Sequence, residues 1–240
     1  MNLLAVDTSG PVCGVAVMKD GVLAYEGVAL NRMTHSVSMM PMVEEALNKS
    51  STDIDQIDYY AAVTGPGSFT GVRIGVSAVK GMAHGAGKPC IAVDALEALA
   101  RGIGLSSALL CPIQDARAGQ VYGAIFAPGM PPRRLSEDMA AKLPEFIDAA
   151  LNLADPAQPL LFTGDGVPTY REAITAILGD RALFAPAEAA YLRPAAVAAI
   201  AWENRDNAVD YLTLQPHYLR APQAERARAA KLQAEREASK

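Results

Sequence analysis

The sequence predicts an α/β protein with two tandem domains, each a mixed sheet flanked by helices. β-rich runs alternate with helical patterns in both halves of the 240-residue chain, and this length allows each half a core of its own. Hydrophobic residues make up 51% of the chain and charged residues 20%, which is typical of a globular fold. We expect an N-terminal domain over residues 1–103, a C-terminal domain over 104–222 and a charged tail over 223–240.

Turn and cap residues divide the first half into elements. Lys19-Asp20-Gly21 separates two β-rich runs and is typical of a hairpin turn, where glycine accepts positive φ. Thr34 or Ser36 can cap one helix, and Asp94 can cap another. The predicted order is strands at 2–7, 12–18 and 22–30, a helix at 34–49, a strand at 57–64, a helix at 72–84, a strand at 89–93 and a helix at 94–101.

The second half repeats the alternation of strands and helices. Asp115-Ala-Arg-Ala-Gly119 and Thr163-Gly-Asp-Gly166 read as turns between elements. The predicted order is strands at 108–114 and 120–127, a helix at about 138–153, a strand at 160–163, a helix after the second turn and an Ala-rich helix at 187–204.

Charge and cysteine content restrict the class of protein. A net charge of −5 argues against a wide nucleic-acid surface on this chain alone, although residues 220–240 carry six Lys or Arg and three Glu. That stretch is either a frayed terminus or a solvated helix. The three cysteines, Cys13, Cys90 and Cys111, lack zinc-site spacing, which predicts reduced thiols in a cytoplasmic protein. No apolar run approaches the ~18 residues of a membrane span, and the start lacks the basic segment of a signal peptide.

A glycine-rich stretch, T64-G-P-G-S-F-T-G-V-R-I-G75, lies between a predicted strand and a predicted helix. Such a loop can present backbone N–H groups to a phosphate. Its spacing, however, matches neither the Walker A motif nor the dinucleotide fingerprint. Either the glycines face a ligand or they only allow close packing of the strand against the helix.

Asp7-Thr8-Ser9 at the end of the first strand is a second candidate. The carboxylate could hold a metal through water and the hydroxyls could meet a phosphate, or the three residues could form an Asx or ST turn. With Gly65 and Gly67 they would make up a vestigial cofactor site. His35, His84 and His217 share no helix face with a second ligand, and G-x-S-x-G is absent, so neither a metal site nor a hydrolytic triad is expected.

The first two predicted helices have unusually wide apolar surfaces. The segment 35–49 contains three methionines, and the segment 71–87 places small residues at three- and four-residue spacing. Core packing explains part of this pattern. Methionine adapts to irregular contacts and small residues allow close approach, so docking of a partner is the alternative.

Several motifs together resemble the bacterial TsaB (YeaZ) family. Besides T64–G75 they are A5-V-D-T-S9, H35-S-V-S, I91-A-V-D-A-L-E97, D115-A-R with V121-Y122, and P216-H-Y-L-R220. The glycine stretch is specific for this family, whereas the other motifs support the resemblance by occurring together in the same order. The resemblance implies two tandem domains of the actin, sugar-kinase and Hsp70 type. It also implies a role in tRNA threonylcarbamoyladenosine synthesis.

The resemblance further implies a subunit without chemistry of its own. The catalytic relative TsaD carries a His-x-x-x-His metal motif, and the matching positions here are Ala95 and Leu99. Neither can donate an electron pair to a metal, so no metal, no cofactor and no catalytic residue are expected. An enzyme that uses a nucleotide through Asp7 and the Gly65–Gly71 loop remains the alternative, and a metallopeptidase is a third.

The family implies partners and a surface for them. The chain is expected to dock a TsaD-like catalytic subunit through its first two helices, with a TsaE-like ATPase completing the complex and tRNA bound indirectly. Alone it is expected to form a homodimer, without membrane contact. A glutamate at Val76 or Val79 should weaken association. The expected interface residues are His35, Met39, Met42, Val43, Ala46, Val72, Gly75, Val76, Val79 and Met82.

Overall fold

The computed structural model describes residues 1–30 and 34–220, so the charged tail proposed for 223–240 lies outside the described residues. The first sheet begins with the predicted hairpin, in which Asp20 and Gly21 both have positive φ. The order of strands in this sheet is β3-β2-β1-β4-β5. The pairs β3–β2 and β2–β1 are antiparallel, and the pairs β1–β4 and β4–β5 are parallel. The strands are β1 (Asn2–Asp7), β2 (Cys13–Lys19), β3 (Val22–Ala29), β4 (Tyr59–Gly65) and β5 (Cys90–Asp94).

Helices cover both faces of this sheet because its strands alternate buried side chains on either side. Two long helices, α1 (His35–Lys49) and α2 (Phe69–Ala86), pack side by side on one face. The short helix α3 (Ala95–Arg101) follows β5, and the Asp94 carboxylate caps it by accepting the Glu97 N–H at 2.7 Å. The predicted cap is therefore confirmed.

The second sheet has the main order β10-β7-β6-β11-β12; of two further short strands, β8 pairs with β6 and β9 pairs with β8. Two helices, α4 (Leu143–Leu153) and α5 (Val167–Leu178), bury Phe146, Ile147 and Ile174 against it. Its strands are β6 (Leu109–Asp115), β7 (Gln120–Gly123), β8 (Phe126–Ala127), β9 (Arg133–Arg134), β10 (Met139–Lys142), β11 (Leu160–Thr163) and β12 (Ala182–Phe184).

The last helix, α6 (Pro194–Glu203), follows the second sheet in the chain but packs on the first. Its Val197 and Ile200 are buried on the face opposite α1 and α2, together with Leu3 and Ala5 of β1. Val209 then pairs with Cys90 at the edge of β5. The segment 194–214 therefore packs with residues 1–103, although the sequence-based division assigns it to the C-terminal domain.

Two predicted helices are shorter in the structure. Met139–Lys142 is a strand that pairs with β7, so the helix predicted over 138–153 begins only at Leu143. The helix predicted over 187–204 begins at Pro194, because proline favours the first turn and the residue before it favours extended backbone. The three-residue strand β12 was not predicted. None of the helices in the described ranges is long and apolar enough to cross a bilayer.

Candidate functional site

The glycines of the turn pack against this chain's own backbone. A Cβ atom on Gly67 would collide with the carbonyl oxygen of Ser9, and one on Gly71 with that of Thr8. A Cβ atom on Gly75 would lie 2.5 Å from Thr8 Oγ1. Gly65 likewise has no room beside the carbonyl of His217, and its φ of +126° favours glycine. Close packing within the chain is therefore sufficient to explain these glycines.

Asp7, Thr8 and Ser9 form a closed turn that ties β1 to α2. The Ser9 N–H and hydroxyl donate to Asp7 Oδ1 at 2.8 and 2.7 Å. The Thr8 hydroxyl donates to the Gly71 carbonyl at 2.7 Å, and Ser68 N–H donates to the Ser9 carbonyl at 2.7 Å. All three side chains are buried, and burial raises the pKa of Asp7. Asx-turn geometry accounts for the motif.

A cleft of about 460 Å³ separates the two halves beside this turn. Residues 67–70 line it from the first half, and Asp115, Arg117 and Asp165 line it from the second. The Arg117 N–H donates to Asp115 Oδ1 at 2.8 Å. Burial and the neighbouring Asp115 raise the pKa of Asp165 to about 6. Residues 217–220 close one side, and the floor of the cleft is acidic.

The expected interface residues are either buried or half-buried, and most of them face this chain's own sheet. Seven of them are buried: Met39, Val43 and Ala46 in α1, and Val72, Gly75, Val76 and Val79 in α2. His35, Met42 and Met82 are half-buried, and His35 Nε2 lies 2.8 Å from the Gly10 carbonyl oxygen. The seven buried side chains pack within this chain, and the interface itself stays a prediction. A glutamate at Val76 or Val79 would disrupt the core itself.

The side of the two helices away from the sheet includes exposed apolar and small residues. Val37 and Met40 are 52% and 47% exposed in α1. In α2, Gly81 and Gly85 are exposed, and a Cβ atom on either would meet nothing within 4 Å. We call the following set the outer face: Val37, Met40, Met42, Ile74, Ser77, Ala78, Gly81, Met82 and Gly85. Met42 and Met82 of this set are also among the interface residues expected from the sequence.

The positions matching the metal motif lie inside the protein. Ala95 and Leu99 of α3 are 0% and 3% exposed and pack in the core between α3 and α6. Within residues 1–30 and 34–220, no group of three His, Cys, Asp or Glu side chains could hold a metal ion. In this chain α3, the helix at the position of the metal motif, packs in the core through apolar side chains.

Comparisons with known proteins identify the family. A family model described as "TsaD: tRNA N6-adenosine threonylcarbamoyltransferase" matches residues 28–228. The protein of Bacillus subtilis called "tRNA threonylcarbamoyladenosine biosynthesis protein TsaB" is 32% identical over 227 residues, which cover 94% of this chain and 96% of that protein. The chain belongs to the TsaB family. The resemblance inferred from the motifs is thereby confirmed.

Solved structures agree on the fold. YeaZ from Pseudomonas aeruginosa superposes with a TM-score of 0.72 at 27% identity, covering 91% of this chain and 99% of that one. The ethanolamine utilization protein EutJ from Carboxydothermus hydrogenoformans superposes with a TM-score of 0.50 at 14% identity, covering 83% and 89%. The latter likeness concerns the fold alone. The predicted α/β fold with two mixed sheets flanked by helices is confirmed.

Proposed function

We propose that this TsaB-family chain is a non-catalytic subunit in tRNA threonylcarbamoyladenosine biosynthesis. Its place in that process is supported by the name of its B. subtilis relative and by the matching family model. The absence of a catalytic role is supported by Ala95 and Leu99, which offer no ligand where the TsaD motif has histidines. The chain then acts by binding and positioning a TsaD-like catalytic subunit.

The single observation that carries the docking surface is the pair of exposed glycines in α2. Glycine inside a helix costs about 1 kcal/mol relative to alanine, and at Gly81 and Gly85 no contact within this chain requires it. A helix of a partner could approach closely along Ser77, Gly81 and Gly85, with Met40 and Met82 packing beside it. The apolar outer face and the unexplained glycines are thus accounted for by one contact.

The same surface suits a second copy of this chain when no catalytic partner is present. A homodimer through the outer face would cover Val37 and Met40, and a TsaD-like subunit would compete for them. A TsaE-like ATPase joins the assembled pair, and tRNA is bound through the complex. A nucleotide-using enzyme gains no support from Thr8 and Ser9, whose hydroxyls already donate within the chain.

A size series at Gly81 tests this proposal. Gly81→Ala and Gly81→Leu are expected to fold at least as well as the parent, because the position is open and both residues favour helix. Association with the TsaD-like subunit, measured by light scattering and titration calorimetry, should weaken as the side chain grows, by about tenfold or more for leucine. Self-association should weaken in parallel.

Asp148→Leu, at an exposed position of α4, is the matched control and should leave association unchanged. If Gly81→Leu folds and still binds the catalytic subunit with the affinity of the parent, the outer face is not the docking surface.

A further inference from the structure

Phe69 and Tyr218 contact each other in the lining of the cleft, and Arg73 lies beside Phe69. The Arg73 guanidinium carbon lies 5.1 Å from the centroid of the Phe69 ring. The Tyr218 ring lies on Phe69 with centroids 4.8 Å apart and an interplanar angle of 32°. Tyr218 is nevertheless 40% exposed. An aromatic ring that ends a stack and faces solvent is a platform on which a nucleobase can stack.

Two more arginines border the same mouth. Arg117 lies at the tip of the turn between β6 and β7, and its side chain is 86% exposed. Arg220 lines the other side, where its Nη1 donates to the Ala116 carbonyl at 3.3 Å. Arg117 and Arg220 bring two positive charges to this opening, and Arg73 adds a third beside Phe69. We call Arg73, Phe69, Arg117, Tyr218 and Arg220 the rim.

The carboxylates of the cleft distinguish a free nucleotide from a nucleic-acid strand as the ligand. Asp115 and Asp165 lie at the floor, where Asp115 is 17% exposed and lies 3.5 Å from an Arg117 nitrogen. A free nucleotide that entered the cleft would bring its phosphates toward these acids. A strand that crosses the opening would keep its phosphates at the arginines and its base on Tyr218. The arrangement therefore favours a polymer over a mononucleotide.

We propose that the rim binds single-stranded RNA, with one base stacked on Tyr218 and the adjacent phosphates beside Arg117 and Arg220. The proposal rests on the proposed function, since it gives the TsaB-family subunit a direct contact with the RNA on which the complex acts. Stacking tolerates any base, and the phosphate contacts make binding dependent on salt.

The test is fluorescence anisotropy of a labelled single-stranded oligoadenylate of about 12 nucleotides with the assembled complex at several salt concentrations. Tyr218→Ala should weaken binding by about tenfold without changing its salt dependence, and Tyr218→Phe should bind like the parent. Arg117→Ala should weaken binding and lower the salt slope by about one. Arg133→Ala, an exposed arginine of β9 outside the rim, is the matched control and should change neither quantity.

Parent-like binding by Tyr218→Ala and Arg117→Ala overturns the proposal. Displacement of the RNA by millimolar AMP with the same dependence on Tyr218 also overturns it, in favour of a mononucleotide site. Light scattering of the same samples separates this outcome from failure of the docking proposal. If no complex forms, docking has failed, and the same variants measured with the full chain alone decide whether the rim binds RNA.

Discussion

Gly71 and Gly81 belong to the same helix and are glycine for different physical reasons. Gly71 faces the Thr8 carbonyl, which is fixed by the turn at the end of β1 and cannot move away. Gly81 faces open space on the outer face. The first is required by the fold of this chain. No contact within the described part of the chain explains the second.

Alanine at the two positions should therefore have opposite effects on stability. Gly71→Ala places a methyl group against backbone and should lower the free energy of unfolding by about 1–3 kcal/mol. Gly81→Ala should raise it by up to about 1 kcal/mol, because alanine favours helix. Urea denaturation of both variants checks this. A loss of stability in Gly81→Ala would show that the position is packed within the chain after all.

Asp94, Arg134 and Asp138 join the two halves through one shared cation. Arg134 Nη2 donates to Asp94 Oδ1 at 2.7 Å and its Nη1 donates to Asp138 Oδ1 at 2.6 Å. Burial, followed by the neighbouring Asp138, raises the pKa of Asp94 to about 7. A proton is therefore held more tightly by Asp94 in the folded protein than in the unfolded chain.

The contribution of Asp94 to stability should fall as pH rises. The folded protein binds more protons than the unfolded chain between the ordinary pKa of an aspartate and about 7, so the free energy of unfolding declines across that window. Asp94→Asn keeps a residue able to cap α3 but cannot titrate. Between about pH 5 and about pH 7 the parent should lose about 2 kcal/mol relative to Asp94→Asn. A difference that stays constant with pH would contradict this.

Local sequence signals located most elements and misplaced several boundaries. Gly21 in the hairpin was predictable from the sequence because the positive φ of this turn favours glycine. The strand Met139–Lys142 could not be predicted from the sequence, because the apolar pattern of α4 continues into it and its pairing with β7 is a long-range contact. Periodicity also showed that α1 and α2 carry two apolar sides. It could not show which one the sheet covers.

Packing of α6 on the first sheet gives a further prediction at the level of elements. Ile200 is 2% exposed and buried against strands that lie far from it in sequence. Ile200→Ala should lower the free energy of unfolding by about 2–5 kcal/mol. Ile177→Ala, at a 47% exposed position of α5, is the control and should stay within about 0.5 kcal/mol. Equal effects at the two positions would contradict the observed packing.

At the scale of the whole molecule, the C-terminal part binds the two halves together. α6 covers the first sheet, Lys80 Nζ donates to the Leu214 carbonyl at 3.0 Å, and Arg220 reaches Ala116 of the second half. Local sequence patterns do not predict that the C-terminal part packs back on the first half, because these contacts join residues more than 100 positions apart. The cleft and the outer face are consequently held on one connected scaffold, which suits a subunit that positions a partner.

The central claim is that this chain enables a partner's chemistry and performs none itself. The most direct measurement is transfer of the threonylcarbamoyl group to tRNA by the TsaD-like and TsaE-like proteins of the same organism, with and without this chain. We expect product only when the chain is present, none from the chain alone, and a strong loss with Gly81→Leu. Full activity of the other two proteins in its absence would contradict the claim.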